Sequence, residues 1–388
     1  MSTKYDDLKA LTRNIQDVEN QFYQIQQKYE QLRQKDPKKI TNGEIISLYA
    51  HVELLDLLIQ EKIRSGNMNL ADVRDALNVM KEEKDYKSLL ALKTQRGVLL
   101  LDLLKFISLT IFFFGFIIPY LIILWPLRIL NPLFRRLGFS NNYLPSDCVS
   151  KFFAVSMLFM LGVKVHVVGL ENVNSNRSYI CMYNHTSGLD AFITQVASSV
   201  SFKWIGKHEL KYVPIFGLLF WAYGNILVDR FNKEVAIKSL QNAVRKVKLH
   251  QRSIAISPEG TRSANGLLLT FKKGPFHTTQ QAGLPVLPTV IYGAYEVWPR
   301  KRLAPGNGEV VVRFLKPIEY DENRTTNELS EIVRASFLSD MLEENLVPQA
   351  RPLSKFRLLI LVLSHFLSCY ASYYLYIVKF SEYYKGFM

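Results

Sequence analysis

The chain has 388 residues, 48% of them hydrophobic, and a formal charge of +14 from 48 Lys plus Arg against 34 Asp plus Glu. That length supports one to three domains with a substantial core, and the composition excludes a disordered acidic chain, a collagen-like fibre and a disulfide-stapled secreted module. Residues 1–95 carry 15 basic and 15 acidic side chains, so the whole positive surplus lies beyond them, with the apolar sequence.

Residues 1–40 are polar and heptad-patterned, so no secretory signal is expected there. Leu8, Leu11, Ile15, Val18, Phe22, Ile25, Tyr29 and Leu32 alternate spacings of three and four, which predicts a helix with a coiled-coil-like stripe over 8–32. Two uses of that stripe stay open, a homodimer or other helical partner and packing within the chain itself. Asp36-Pro37 ends the repeat. A second helix is expected from Thr41 or Asn42, with Glu44 completing a capping box on Thr41, followed by apolar positions at Ile45, Leu48, Tyr49, Val52, Leu55 and Ile59. A third is expected from about residue 70 to 92. Residues 1–95 thus read as a helical extension without chemistry of its own.

Residues 106–125 contain no charge; at about 1.5 Å per helical residue they match a hydrocarbon layer about 30 Å thick. Segment 97–130 is therefore expected to be membrane-embedded, either spanning or turning back at Pro119. Arg128, Arg135, Arg136 and Lys151 follow it and suit an anionic surface. A second membrane segment is expected at 356–380, where Tyr370, Tyr373, Tyr374 and Tyr376 crowd the end as interfacial anchors do. Cys148, Cys181 and Cys369 are too few and too scattered for a disulfide framework or a Cys-rich zinc site.

Between these ends, short apolar runs at 164–168, 179–182, 253–256, 286–292 and 309–314 read as strands, and 216–221 and 235–249 as helices. Alternating strands and helices imply an α/β domain with a mixed sheet over 150–345. No GxGxxG follows a strand, which leaves no case for a nucleotide fold.

The 179–182 strand leads into Asn184-His185-Thr186-Ser187-Gly188-Leu189-Asp190. With Gly188 letting the loop turn, Asp190 can hold one imidazole nitrogen of His185 while the other takes a proton from a substrate alcohol. Ser187 lacks the Gly-x-Ser-x-Gly elbow of a nucleophile. The 253–256 strand leads into Ser257-Pro258-Glu259-Gly260-Thr261-Arg262-Ser263. There Arg262 offers a permanently charged fork for phosphate, and Glu259 can orient Arg262 or a substrate hydroxyl.

These blocks resemble the glycerolipid acyltransferases of the lysophosphatidic acid acyltransferase type. The family's Asn-His-x4-Asp signature is matched by Asn184, His185 and Asp190, and its Phe-Pro-Glu-Gly-Thr-Arg-Ser block by Ser257–Ser263. Its apolar run before Asp-Arg is similar to Gly224–Arg230, and its proline within an apolar strand to Val286-Leu287-Pro288. The resemblance covers about residues 150–320. It departs at Ser257, where the family usually has Phe; the intact Pro258–Ser263 leaves changed packing or acceptor preference as the expected consequence. It implies a mixed-sheet α/β acyltransferase domain with membrane-associated hydrophobic helices and the N-terminal helical extension. It further implies His185 as general base and Asp190 as its orienting partner. Arg262, with Arg230 and Lys207, would bind the acceptor phosphate, Glu259, Gly260 and Thr261 would shape the acceptor site, and Pro288 would belong to the acyl-donor side.

The implied reaction moves a fatty acyl group from acyl-CoA, a substrate with no bound cofactor or metal beside it, to the sn-2 hydroxyl of lysophosphatidic acid. Another lysophospholipid, glycerol-3-phosphate, a neutral glyceride, coenzyme-independent transacylation and an inactive membrane scaffold stay open as alternatives. The expected partners are the lysophospholipid, acyl-CoA and a bilayer. The expected location is an intracellular membrane, the endoplasmic reticulum, with the catalytic domain facing the cytosol. The positive surplus accompanies the apolar segments and lacks aromatic interleaving, so no nucleic acid is expected.

Overall fold

The computed structural model describes residues 15–64, 70–91, 126–137, 144–212, 223–229, 233–250 and 252–342, with isolated positions between them. The first helix, α1 (Ile15–Gln34), buries Val18, Ile25, Tyr29 and Leu32 in one cluster with side chains of α2 (Asn42–Arg64), α3 (Ala71–Glu82) and α4 (Lys84–Ala91). From Val18 onward the heptad stripe is filled by the chain's own helices; Leu8 and Leu11 lie outside the described residues. The expected capping box is in place. The Thr41 N–H donates to Glu44 Oε2 at 2.8 Å and the Glu44 N–H to Thr41 Oγ1 at 3.2 Å. The expected third helix is two, because Glu83 leaves helical geometry at φ −56° and ψ 137°.

α2 is apolar on more than one face because it serves two cores. Leu48, Val52, Leu55 and Ile59 face the N-terminal helices, whereas Ile45, Ile46, Ala50, Leu54 and Leu58 pack with residues of the sheet. A helix with a single buried face would carry one stripe.

After α5 (Asn131–Arg136) and α6 (Pro145–Leu161) the sheet begins with β1 (Val163–Val168), β2 (Ile180–Tyr183), α7 (Asp190–Ala197), β3 (Phe202–Lys207) and β4 (Ile226–Val228). It continues with α8 (Lys233–His250), β5 (Ser253–Ile256), α9 (Lys273–Ala282), β6 (Val286–Tyr292), the single turn α10 (Ala294–Val297), β7 (Gly308–Phe314) and α11 (Thr326–Asp340). The strand order is β1-β7-β6-β2-β5-β3-β4. Strands β2 to β6 run parallel, β7 is antiparallel to β6, and β1 is parallel to β7. The sheet is thus mixed, as expected. One face is covered by α6 and α7, the other by α2, α8, α9 and α11. Every residue of β2, β5 and β6 is buried, the pattern of strands covered on both faces.

The expectation of membrane-associated hydrophobic helices is corrected. Among the described residues no helix is long and apolar enough to cross a membrane, so the described fold contains no transmembrane helix and gives no ground for placing the chain in the endoplasmic reticulum. The apolar segments 106–125 and 358–378, on which those expectations rested, lie outside the described residues apart from single position 107, as does half of the run 216–221.

Candidate active site

The parallel strands set the site's position. β2 delivers Asn184 and His185 at its C-terminal end, β5 delivers Ser257 and Glu259, β3 ends at Lys207, and β4 runs into Asp229. All of these leave the same edge of the sheet, the edge where open α/β folds bind their ligands. Pro288 is elsewhere. It is buried inside β6 opposite Met182, at the place where the ladder to β7 stops at Thr289↔Phe314, and its carbonyl accepts the Leu315 N–H at 2.9 Å. A residue without an N–H fits there because no ladder bond to β7 is required of it. Arg230 lies outside the described residues.

The loop after β2 closes a tight knot. Asp190 is fully buried at the start of α7. Its Oδ2 accepts from the Thr186 N–H and the Ser187 N–H, each at 2.9 Å, and bonds His185 Nδ1 at 2.7 Å. A carboxylate can only accept, so Nδ1 carries a proton, and in the neutral imidazole Nε2 is the nitrogen with the lone pair. The imidazole is part-exposed and packs T-shaped with the Tyr183 ring, their centroids 5.8 Å apart. Ser187 Oγ donates to the Trp298 carbonyl at 3.1 Å and accepts the Leu189 N–H; its hydroxyl is spent on the loop. Asn184 replaces strand pairing beyond β2, its side-chain amide bonding both the N–H and the carbonyl of Ile291 in β6 at 2.7 and 3.0 Å.

Gly188 has a reason the sequence did not reveal. A Cβ there would stand 2.8 Å from Cζ3 of Trp298, and that ring is held by Nε1 donating to the Arg302 carbonyl at 3.0 Å. Packing, not an unusual φ, demands glycine. Gly188→Ala is expected to destabilise the fold by about 1–3 kcal/mol through overpacking, seen as a lower melting midpoint, and to reduce turnover by displacing the His185–Asp190 loop. Trp298 itself was not singled out from the sequence; its only signal is its place in the loop just beyond the Pro288 strand.

The second loop is tied to the first. The Ser263 N–H donates to the His185 carbonyl at 2.8 Å. Glu259, 1% exposed, accepts the His185 N–H on Oε1 at 2.6 Å and the Leu269 N–H on Oε2 at 2.8 Å. Its carboxylate is therefore turned into the protein. Burial pushes it up to about 8, against the pull of the two backbone donors. Gly260 adopts φ +72°, a left-handed conformation that L side chains rarely take, and Thr261 beyond it is exposed. Arg262 is half-buried, and among the described residues no hydrogen bond or ion pair is found for its guanidinium; desolvation pulls it below the ordinary arginine range. The neighbouring Arg300 donates to the Arg262 carbonyl at 3.4 Å, adding positive charge. Lys207 projects from the end of β3, exposed. Among the described residues no group of three or more His, Cys, Asp and Glu side chains could hold a metal ion.

A family model described as Acyltransferase matches residues 164–292. The chain is 30% identical over 197 residues to the 1-acyl-sn-glycerol-3-phosphate acyltransferase of Limnanthes alba, covering 51% of this chain and 68% of that protein. The chain belongs to that family of glycerolipid acyltransferases. The enzyme of the same name from Saccharomyces cerevisiae is 37% identical over 193 residues, 49% of this acyltransferase and 63% of the yeast protein. A crystal structure of the 1-acyl-sn-glycerophosphate (LPA) acyltransferase PlsC from Thermotoga maritima aligns with a TM-score of 0.46 and 25% identity, over 50% of this chain and 80% of that one. The matched family region contains both loops of the site. The helices α1 to α4 and α11 of this acyltransferase lie outside it.

Proposed function

We propose that this acyltransferase moves a fatty acyl group from acyl-CoA to the sn-2 hydroxyl of lysophosphatidic acid, giving phosphatidic acid and CoA. The observation that carries the reading is the His185–Asp190 pair, with the Nε2 lone pair left free, on a loop bonded to the one that presents Arg262. His185 Nε2 takes the proton of the sn-2 hydroxyl as its oxygen attacks the thioester carbonyl. The buried Asp190 carboxylate stabilises the imidazolium that results. The tetrahedral intermediate collapses, the C–S bond breaks, and the departing CoA sulfur takes the proton back from His185. A thioester is already activated, so no acyl-enzyme is needed.

Arg262 receives the acceptor phosphate in this reading, assisted by Lys207 from the end of β3 and by Arg230, two residues after β4 in the sequence. Gly260 and Thr261 form the turn that presents it, and Pro288, buried inside β6, serves the acyl-donor side through the strand it shapes and not by contact. Glu259 shapes the acceptor site indirectly, by holding the backbone of both loops.

The test is transfer from labelled oleoyl-CoA, in mixed micelles, to lysophosphatidic acid, other lysophospholipids, glycerol-3-phosphate and a neutral glyceride. Lysophosphatidic acid is expected to be the preferred acceptor. Arg262→Ala is expected to raise its KM by about 10–100-fold, the range for losing a charged hydrogen bond, with little change in the KM for acyl-CoA. Preference for an acceptor without a phosphomonoester, or equal product when acyl-CoA is replaced by intact phospholipid, would overturn the reading.

A further inference from the structure

The network around Glu259 does not end at the two catalytic loops. The Leu268–Leu269 peptide is pinned from both sides. Its N–H, on Leu269, donates to Glu259 Oε2 at 2.8 Å, and its carbonyl, on Leu268, accepts from the Tyr49 hydroxyl of α2 at 2.5 Å. In a trans peptide these groups point in opposite directions, so a rotation of this one plane breaks both bonds together. The next carbonyl, of Leu269, accepts from Arg334 Nη1 of α11 at 2.8 Å. Arg334 Nη2 reaches back to α2, to Glu53 Oε2 at 2.8 Å and to Tyr49 Oη at 3.4 Å. The guanidinium lies over the Phe271 ring at 5.5 Å, and its side chain is 12% exposed. Lys81 of α3 pairs with the same Glu53 at 3.1 Å. At the far end, Glu259 Oε1 accepts the backbone N–H of His185 itself.

We propose that Tyr49 and Arg334 are positioning residues for acyl transfer, fixing the 268–269 loop and, through Glu259, the backbone of His185. α2 and α11 lie outside the region matched by the family model, and the helical N-terminal region supplies through Tyr49 one side of the support for the catalytic histidine. Linked hydrogen bonds in a poorly solvated site polarise one another, and a misplacement of about 1 Å at a reacting group can cost about 10²-fold in rate. Tyr49 and Arg334 touch no substrate in this arrangement; their effect falls on kcat.

The inference rests on His185 as the base, so the test reads the protein in two ways, one of which needs no activity. In the full chain, Tyr49→Phe removes the hydroxyl and keeps the ring. It is expected to lower kcat by about 3–10-fold with both KM values changed less than twofold. Peptides containing the amides of His185 and Leu269 should exchange hydrogen several-fold faster, while β1 peptides do not change. Arg334→Gln should do the same to a similar or greater extent. Combined with Glu259→Gln, Tyr49→Phe should add little further loss in kcat, because both act on one path. Glu331→Gln removes the Arg64–Glu331 ion pair across the same α2–α11 contact without touching the loop; it is expected to leave kcat and exchange as in the wild type. Unchanged exchange at His185 and Leu269 in Tyr49→Phe overturns the proposal even if the wild type turns out to use another acceptor or none. So does an equal effect from Glu331→Gln, or full additivity with Glu259→Gln.

Discussion

His185→Ala is expected to lower kcat by about 10³–10⁴-fold, towards the upper end of what general base catalysis contributes, with the KM for acyl-CoA little changed. Asp190→Asn should be milder, about 10²-fold, for a reason specific to this loop. All three donors to Asp190 converge on the single oxygen Oδ2. An asparagine can place its oxygen at that point and keep the N–H bonds of Thr186 and Ser187 as well as the Nδ1 tautomer of His185; the reversed amide would face three donors with an NH₂ group. What the asparagine cannot supply is the negative charge beside the imidazolium, so the variant isolates that electrostatic contribution. The measurement is kcat under saturating substrates, with intact folding checked by thermal denaturation. Turnover in His185→Ala within tenfold of wild type would remove His185 from the role of base. An Asp190→Asn loss equal to that of His185→Ala would mean that the loop geometry fails in the variant.

The sheet was legible where strands are continuous and apolar: the runs at 253–256 and 286–292 match β5 and β6, and β1, β2 and β7 lie within one residue of expectation. β3 was missed because its buried positions Phe202, Trp204 and Gly206 end on a glycine and are separated by Lys203, Ile205 and Lys207, so no continuous apolar run marks it. β4 is three residues long, too short for any period to show. α9 opens with Lys-Gly-Pro, a turn-like beginning. α11 did carry a sign, the Thr325–Glu328 capping box, which the structure forms. In the site, residue types and spacing disclosed the His185–Asp190 pair, but not that Glu259 turns inward onto His185 and Leu269. Nor could they disclose Tyr49 and Arg334, which meet on one loop from helices at opposite ends of the described chain. Hydrophobic periodicity reports which face of an element is buried; it carries no information about which distant polar atoms then meet. The membrane expectation rested on apolar runs with their flanking basic residues and tyrosines, and no helix among the described residues answers to it.

The same limit hid a buried charge cluster in the core. Asp147, 1% exposed at the start of α6, accepts from Lys203 of β3 at 3.0 Å, and from Arg252, just before β5, through both guanidinium nitrogens at 2.7 and 2.8 Å; the Leu144 N–H also donates to it. The two cations hold its carboxyl down to about 2 despite burial, while burial pushes Lys203 down to about 8. Asp147→Asn leaves the two cations facing each other without the carboxylate between them. The expected loss is about 3–5 kcal/mol, the range for breaking a buried pair from one side, or a fall of roughly 10 °C in melting midpoint.

The loss should depend on pH in a definite direction. Asp147 is depressed, so its contribution is present above the ordinary carboxylate range and is lost as pH falls through about 2, outside the neutral window. Lys203 without Asp147 loses the attraction that supports its charge, so in the variant it releases its proton below 8. A base depressed in the folded state binds fewer protons there than in the unfolded chain, so the variant gains stability as pH rises across that interval. The gap in melting midpoint should therefore be widest near pH 6 and narrow towards pH 9, and a gap independent of pH would exclude Lys203 as the group left uncompensated. Lys203 lies near the N-terminal end of β3 and Arg252 precedes β5, whereas Lys207 and Ser257 mark the edge that carries His185, at the other end of the same strands. The variant that remains folded should accordingly keep kcat near the wild-type value, the reverse of what His185→Ala does.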